Sequence, residues 1–445
     1  DKIRFRLGLP ETIGGWTRLT STPMLGTCRD LHPWTSLDGS RIVGAGTNLK
    51  LYVLDGALPI DVTPIRATTG AGDATFAATN GSAVLTVSDT AHGCVLGDFV
   101  TFSSAASLGG LITAAVLNQE YQVASIVDAN SYTIVATATA NASDTGNGGS
   151  NTVAAYQINT GLDAAAAGSG WGAGVWSRGT WSSAANVTVP GANVRLWSMD
   201  NFGEDLLANV RGGGIYYWDT SAGTSVRAVD ITSLSGNNQP QVANVVLVSE
   251  RDRHVFAFGC DPQGDPGVLD PLTIRFSSQE SFTDWQARDD NTAGELRIGT
   301  GSEIIAAVQT KQQTVVFTDR SVSALQFIGA PFTFGLSEVS TNTSILSQNA
   351  AVAVGDAVYW IGNDVFYRYD GNVSIIPCPV EEYVFDNVNT SQLSKVVSGS
   401  NSEFNEVWWF YPSAASENND SYVVYNYLEK IWFYGTLDRS AWDES

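Results

Sequence analysis

Basic residues are scarce in this chain. Lys and Arg number 23 against 45 Asp and Glu over 445 residues, a formal net charge of −22. That balance leaves no cationic surface for gripping phosphates, which excludes the ordinary nucleic-acid binders, and it disfavours docking on an anionic bilayer. Long apolar runs are also missing. Without a stretch of 18 apolar residues there is no spanning helix. The four cysteines, Cys28, Cys94, Cys260 and Cys378, lie far apart with no CxxC pair. This excludes a dense disulfide framework and predicts free, mostly buried thiols in a reducing compartment. Histidine is rarer still: His32, His92 and His254 stand in no metal-ligand spacing with one another or with a cysteine. His92, between Ala91 and Gly93, reads as a turn residue, and His254, beside Arg253 at a strand start, reads as structural. No GxSxG elbow, GxxxxGK[ST] loop or HExxH helix occurs. Starting at Asp1 without an initiator Met, the chain leaves the presence of a leader open.

What is present points to β structure. Glycine accounts for 44 residues, Trp for 13 and Tyr for 15, while charged residues reach only 15%. The length suits two or three domains of roughly 100–200 residues, or one large repetitive domain. No Lys or Arg occurs between Arg66 and Arg178, and this stretch is dominated by Ala, Thr, Gly, Ser and Val. Low charge with Thr and Val favours strands. They are predicted at Ala83–Val87, Phe99–Phe102, Glu120–Val127 and Ser131–Val135, with Asn141–Asn151 as an exit loop. The stretch reads as a small all-β module inserted between two flanks. The expected division is 1–66 for the first strands of a larger unit, 67–158 for the inserted module and 159–445 for the remainder.

The flanks share a short unit, a Gly-rich turn followed by an aromatic strand ending in Asp: Leu51–Asp55, Ile215–Asp219 and Phe366–Asp370. The turns before them are read at Gly44–Asn48, Arg211–Gly214 and Gly362–Asp364. Looser echoes end in Gly, at Val255–Gly259, Leu325–Gly329 and Ile431–Gly435. Each reads as a hairpin in which Gly takes the turn. The spacing fits a period of about 40–50 residues per four-stranded unit, as a β-propeller requires. The predicted fold is therefore all-β, a propeller of about six or seven blades with an inserted small β-barrel; the alternative is a meandering β-sandwich. The best helix candidate is Pro379–Asn389, with Glu381 and Glu382 in its first turn.

Chemistry is hard to nominate. Asp261–Pro271 holds three carboxylates in a loop where calcium is imaginable, but Asp-Pro and Gly are ordinary turn formers. Ser277–Trp285 resembles the Asp-box of sialidase propellers only faintly, its Asp and Gly positions not fitting. Glycosidase chemistry needs two facing carboxylates, and among 45 acids the sequence singles out no pair. Trp408–Tyr411 alternates faces and reads as core, whereas Trp171, Trp176 and Trp181 read as a subunit contact. No catalytic, cofactor-binding or metal-binding residue is expected, and no cofactor.

Ile3–Leu19 followed by Arg41–Pro64 resembles the tail nozzle proteins of short-tailed bacteriophages, also called packaged-DNA stabilisation or tail tubular proteins. Leu272–Trp285, Gly294–Gly329, Asp356–Gly371 and Asn405–Ser413 agree in the same order. The insert, with TVSDTAHGCVLGDFVTF and LNQEYQVASIVDANSYTI, resembles a small β-barrel of phage virion proteins. That barrel is similar to the first catalytic cysteine half-domain of ubiquitin-activating enzymes. No activating chemistry is implied for Cys94, read as a turn residue with no base beside it.

The nozzle resemblance implies a structural, non-enzymatic subunit of the virion tail, assembled in the host cytoplasm. It implies a homo-oligomer, expected as a hexameric ring below the portal and adaptor, with fibres or spikes around it. Duplex DNA would pass through the lumen without sequence-specific binding. The charge agrees: each phosphate-gripping Lys or Arg adds friction to a sliding duplex. Residues 338–445 hold 15 acids and 4 basic residues, which makes the C-terminal part the candidate lumen face. The chain runs from just before the first family-like segment to Ser445, so the expectation is that residues at one or both ends lie outside it. The alternative readings are a glycan-binding or glycan-degrading propeller at the host surface and an unrelated propeller lectin.

Overall fold

The computed structural model describes residues 2–165 and 194–444. Six separate four-stranded antiparallel sheets follow one another along the chain, each built from four consecutive strands. Blade one is Cys28–Thr35, Arg41–Thr47, Leu51–Asp55 and Leu58–Asp61. Blade two is Trp197–Phe202, Asp205–Val210, Ile215–Trp218 and Val229–Asp230. Blade three is Ala243–Ser249, His254–Cys260, Asp270–Phe276 and Gly294–Arg297. Blade four is Ile304–Gln309, Thr314–Thr318, Ser321–Gly329 and Thr333–Thr341. Blade five is Ala351–Val354, Ala357–Ile361, Phe366–Tyr369 and Val373–Ile376. Blade six is Val397–Asn401, Glu406–Pro412, Asn419–Asn426 and Ile431–Thr436. The first strands pack side by side around the centre, so the chain is a six-bladed β-propeller.

Both faces of a blade are buried against neighbours, which is why these strands read as near-continuous apolar runs. The Trp408–Tyr411 run shows the consequence. Trp409 and Tyr411 point into the core shared with blade five. Trp408 and Phe410 point the other way, onto Tyr422, Phe433, Ile13, Leu437 and Trp442. Full burial of each such ring contributes roughly 1.5–3 kcal/mol.

The repeated units Leu51–Asp55, Ile215–Asp219 and Phe366–Asp370 supply the third strands of blades one, two and five. The echoes do not share that place. Leu325–Gly329 is in a third strand, Val255–Gly259 in a second strand and Ile431–Gly435 in a fourth. Gly44–Asn48 is not the turn before Leu51 that its glycines suggest. Gly44 and Gly46 lie inside a strand, and a Cβ on Gly46 would run into the Trp197 ring of blade two. These glycines let blades approach closely. The expected helix at Pro379–Asn389 is one turn, Glu381–Phe385.

Between blades one and two the strands Ile65–Thr68, Thr75–Ala78, Val84–Ser88, Phe99–Ser103, Glu120–Asp128, Ser131–Val135, Asp144–Asn147 and Val153–Gln157 form one eight-stranded antiparallel sheet. It wraps a separate core built on Phe76, Phe102, Tyr121, Tyr132 and Tyr156. Its end strands, Ile65–Thr68 and Asp144–Asn147, are not paired with each other, so strand pairing does not close it.

The seam between blades six and one differs from the other five interfaces. The N-terminal hairpin, Ile3–Arg6 with Leu9–Thr12, and the C-terminal residues Leu437 and Trp442 cover the face that blade six turns toward blade one. Asp163 bonds Arg29 of blade one, and Ala165 bonds Gln392 just before blade six. Residues 163–165 thus tie blade one to the segment before blade six, and residues 442–444 add contacts across the same seam.

Candidate functional site

The innermost strands of blades one, two, four, five and six line a central pit of about 220 Å³. A propeller axis is the usual place for a channel or ligand site, but here side chains cross it. Gln348, at the entrance to blade five, donates from Nε2 to the Trp197 carbonyl of blade two, on the opposite side of the ring, at 2.8 Å. Arg211 of blade two reaches blade four, its Nη1 donating to the Ile305 carbonyl at 2.9 Å and its Nη2 to that of Ile304 at 3.1 Å. Asn349 donates to the Arg29 carbonyl at 3.2 Å. The axis is therefore blocked, and the pit is far too small for a duplex whose major groove alone is about 12 Å wide.

Carboxylates line the pit. Asp30 comes from the first strand of blade one, and Asp443 and Glu444 from the C-terminal segment lying over the mouth. Asp200, on the first strand of blade two, lies outside this lining but close enough to add its charge to that felt by Asp30. Trp442 anchors this segment by donating from Nε1 to the Ser400 carbonyl at 2.9 Å, and Glu444 accepts from Ser400 Oγ at 2.7 Å. Burial, followed by the charge of Asp443, pushes the Asp30 carboxyl well above the usual carboxylate range. Burial raises Asp200 to about 6, against the opposing pull of His32. Asp443 is raised as well, chiefly by desolvation. His32 Nε2 lies 3.8 Å from Asp200 Oδ1 and donates to Asn201 Oδ1 at 2.9 Å. Asp200 accepts the Val248 amide at 2.7 Å, tying the inner strands of blades two and three together. Burial thus disfavours the charged form of the Asp30, Asp200 and Asp443 carboxyls. Among the described residues no group of His, Cys, Asp or Glu is arranged to hold a metal ion.

A second polar centre joins the inserted sheet to the propeller. Lys50 Nζ of blade one sits between Asp61 at 2.7 Å and Glu120 of the insert at 2.5 Å. Arg227, ahead of the last strand of blade two, reaches Asp61 at 3.1 Å and Glu120 at 3.5 Å. Burial alone would raise the Asp61 carboxyl, but Lys50 and Arg227 hold it below its ordinary value. Two cations and two carboxylates from three parts of the chain thus interlock.

The residues weighed from sequence have structural tasks. His92 does lie beside Cys94, contrary to the reading that no base is near. Its Nδ1 accepts the Cys94 amide at 3.0 Å, and its Nε2 faces the Asp128 carbonyl at 3.0 Å. Both ring nitrogens are thus engaged by backbone, and burial pushes the Cys94 thiol up to about 12, so no thiolate is activated. His254 is fully buried between the Asp252 carbonyl and Thr292, with its pKa lowered by desolvation. In the Asp261–Pro271 loop the Asp261 carboxylate accepts the Gln241 and Gly267 amides, while Asp270 pairs with Arg297 at 2.7 Å, so these two acids hold the loop to the blade around it. Trp285 of the Ser277–Trp285 segment is core. Trp171, Trp176 and Trp181 lie outside the described residues. These carboxylates have no signature in the sequence, because Asp30 and Asp443 of the pit and the neighbouring Asp200 come from three distant segments.

These features define a six-bladed propeller protein with an inserted β module and a blocked axis. No family model matches the chain, and no curated protein matches its sequence. Among solved structures, a phage phi92 endosialidase aligns at 9% identity and a TM-score of 0.21 over 91% of this chain, which spans 55% of that protein's length. The AfRom2 CNH domain aligns at 8% identity and TM-score 0.31, covering 54% of this chain and 84% of that one. A Synechocystis apocarotenoid oxygenase mutant aligns at 8% and 0.28, covering 85% and 83%. Likeness at this level carries no argument about activity.

Proposed function

We propose that this chain is a structural subunit of the tail nozzle of a short-tailed bacteriophage, a ring through which packaged DNA is retained and then released. The observation that carries the reading is the placement of the nozzle-like segments. Ile3–Leu19 and Arg41–Pro64 supply the N-terminal hairpin and blade one. Leu272–Trp285 falls in blade three, Gly294–Gly329 in blades three and four, Asp356–Gly371 in blade five and Asn405–Ser413 in blade six. The resemblance follows one propeller from its first blade to its last, and the insert interrupts it between blades one and two.

Two physical points support the reading. The blocked axis rules out DNA passing through a single propeller, so a conduit requires several copies around a common lumen. Antiparallel strands place the first-to-second and third-to-fourth turns of every blade on one side of the disc. Those turns carry acids such as Asp38, Glu204, Asp356 and Glu403 on blades one, two, five and six, while Arg251, Arg253 and Arg288 stand among the acids of blade three and Lys311 on blade four; the excess of acids repels phosphates at short range and leaves a duplex free to slide. The partners follow from this reading: further copies of the chain, the portal and adaptor above, fibres or spikes around, and duplex DNA within.

Mass photometry with negative-stain imaging tests it. Rings with a central opening wide enough for duplex DNA are the expected result. A chain that stays monomeric with and without portal–adaptor complexes, or that cleaves host polysaccharide as a monomer, would overturn it.

A further inference from the structure

The N-terminal hairpin exposes more apolar surface than a loop on a soluble monomer needs. Leu7 is 84% exposed and Leu9 70%, with Ile3 and Phe5 also open to solvent. The two strands form a sheet of their own, so both outer edges are unpaired. At its tip Leu7 adopts φ 52°, a left-handed conformation costly for a large side chain. Apolar projections of this kind mark contact sites. The hairpin also carries cations in an acidic protein: with Arg4 taken by Glu406, Lys2 and Arg6 are exposed beside the single carboxylate of Glu11.

A matching surface lies on the same chain but out of its reach. On the rim between blades five and six, Ile375, Tyr383 and Tyr434 are exposed, with the two tyrosine rings 4.2 Å apart. Glu381 and Glu382 sit beside them. The hairpin runs beside Ile431–Thr436 but is held there by the buried Arg4–Glu406 pair and, at its tip, by the Leu7 amide donating to Glu429 at 2.8 Å, so it does not turn onto the tyrosines of this rim.

We infer that the hairpin of one copy docks on the Ile375–Tyr383–Tyr434 rim of a second copy. Phe5, Leu7 and Leu9 would cover the tyrosines, and Lys2 and Arg6 would face Glu381 and Glu382. The two surfaces differ, so the contact is head-to-tail and propagates into a closed ring or a filament. The inference rests on the ring reading above only in naming a second copy as the occupant.

Complementary charge reversal tests it on the whole chain. One variant carries Lys2→Glu with Arg6→Glu, the other Glu381→Lys with Glu382→Lys; both leave Arg4–Glu406 intact. Each alone is expected to raise the concentration needed for assembly at least about tenfold, as for loss of central interface contacts, with an unchanged melting temperature. An equimolar mixture is expected to regain assembly. Phe5→Ser with Leu7→Ser should weaken assembly without rescue by either charge variant. If the unmodified chain assembles and these variants assemble equally well, the docking inference falls while the ring reading stands. If the unmodified chain is monomeric with and without portal–adaptor complexes, both fall.

Discussion

Arg4 and Glu406 form a two-pronged ion pair inside the protein, Nε to Oε1 at 2.9 Å and Nη2 to Oε2 at 3.0 Å. The guanidinium also lies 3.5 Å from the centre of the Phe404 ring, and Trp408 donates to the same carboxylate at 2.9 Å. The pair connects residues 402 positions apart and fastens the N-terminal hairpin to the last blade. Removing one partner strands a buried charge, which typically costs ~3–5 kcal/mol. Arg4→Ala is therefore expected to lower the unfolding free energy by about that amount, read by urea denaturation. Arg4→Met with Glu406→Gln should cost less, since neither charge is left alone.

The pit and its neighbour Asp200 predict an unusual pH dependence. A carboxyl whose folded pKa is raised holds its proton in the native state when the unfolded chain has already lost it. Its contribution to stability is full below the unfolded value and is lost as pH rises through the folded value. For Asp200 that window runs from the ordinary carboxylate range to about 6. Asp200→Asn, which can still accept an amide hydrogen bond, should remove part of this slope and raise stability at pH 7 by roughly 1–3 kcal/mol. Melting temperature against pH, for the two proteins side by side, reads the effect. A slope identical in the variant would show that Asp200 is ionised throughout.

Gly399 lies under the C-terminal segment, and a Cβ there would run into the Trp442 indole. The backbone of blade six cannot yield without disturbing its neighbours, so the segment is the part that moves. Gly399→Ala is expected to release residues 437–444 to proteolysis while the propeller keeps its cooperative unfolding. Limited digestion followed by mass spectrometry would show it.

Lys50 is the centre of the junction between insert and propeller. Lys50→Met leaves Asp61 and Glu120 with only Arg227 between them. The expected loss is a few kcal/mol, about 3–5 at most. Faster hydrogen exchange is expected in Ile65–Thr68 and Glu120–Asp128, the strands nearest the junction. Unchanged exchange there would mean that the insert is held by other contacts.

Native thiol reactivity should be low. Burial raises Cys28 and Cys94 to about 12 and Cys378 to about 11, with Cys260 raised further. Labelling at pH 8 should be slow for all four and become fast only on unfolding.

Much of the propeller and of the insert was legible where a strand's neighbours in sequence decide its fate. Leu51–Asp55 and Ser131–Val135 are strands with the expected bounds, because β-branched and aromatic residues lie between clear turn formers. Legibility failed where the deciding partner came from elsewhere. Gly44 and Gly46 look like a turn until the Trp197 ring of the next blade is seen to need their space. Val255–Gly259 resembles the third-strand unit but is a second strand, because strands at both positions are buried on two faces and carry the same apolar code.

The sequence by itself determined the β class, the blade-sized period, the acidic charge and the lack of a metal-ligand pattern. All follow from composition and from side chains within a few residues of one another. Tertiary structure alone decided that the count is six, that residues 163–165 bridge the seam between blades one and six, and that Gln348 and Arg211 block the axis. It also gathered Asp30 and Asp443 in one pit, with Asp200 close by. These outcomes depend on burial between segments up to hundreds of residues apart, where packing and desolvation act on whichever groups the closed ring brings together.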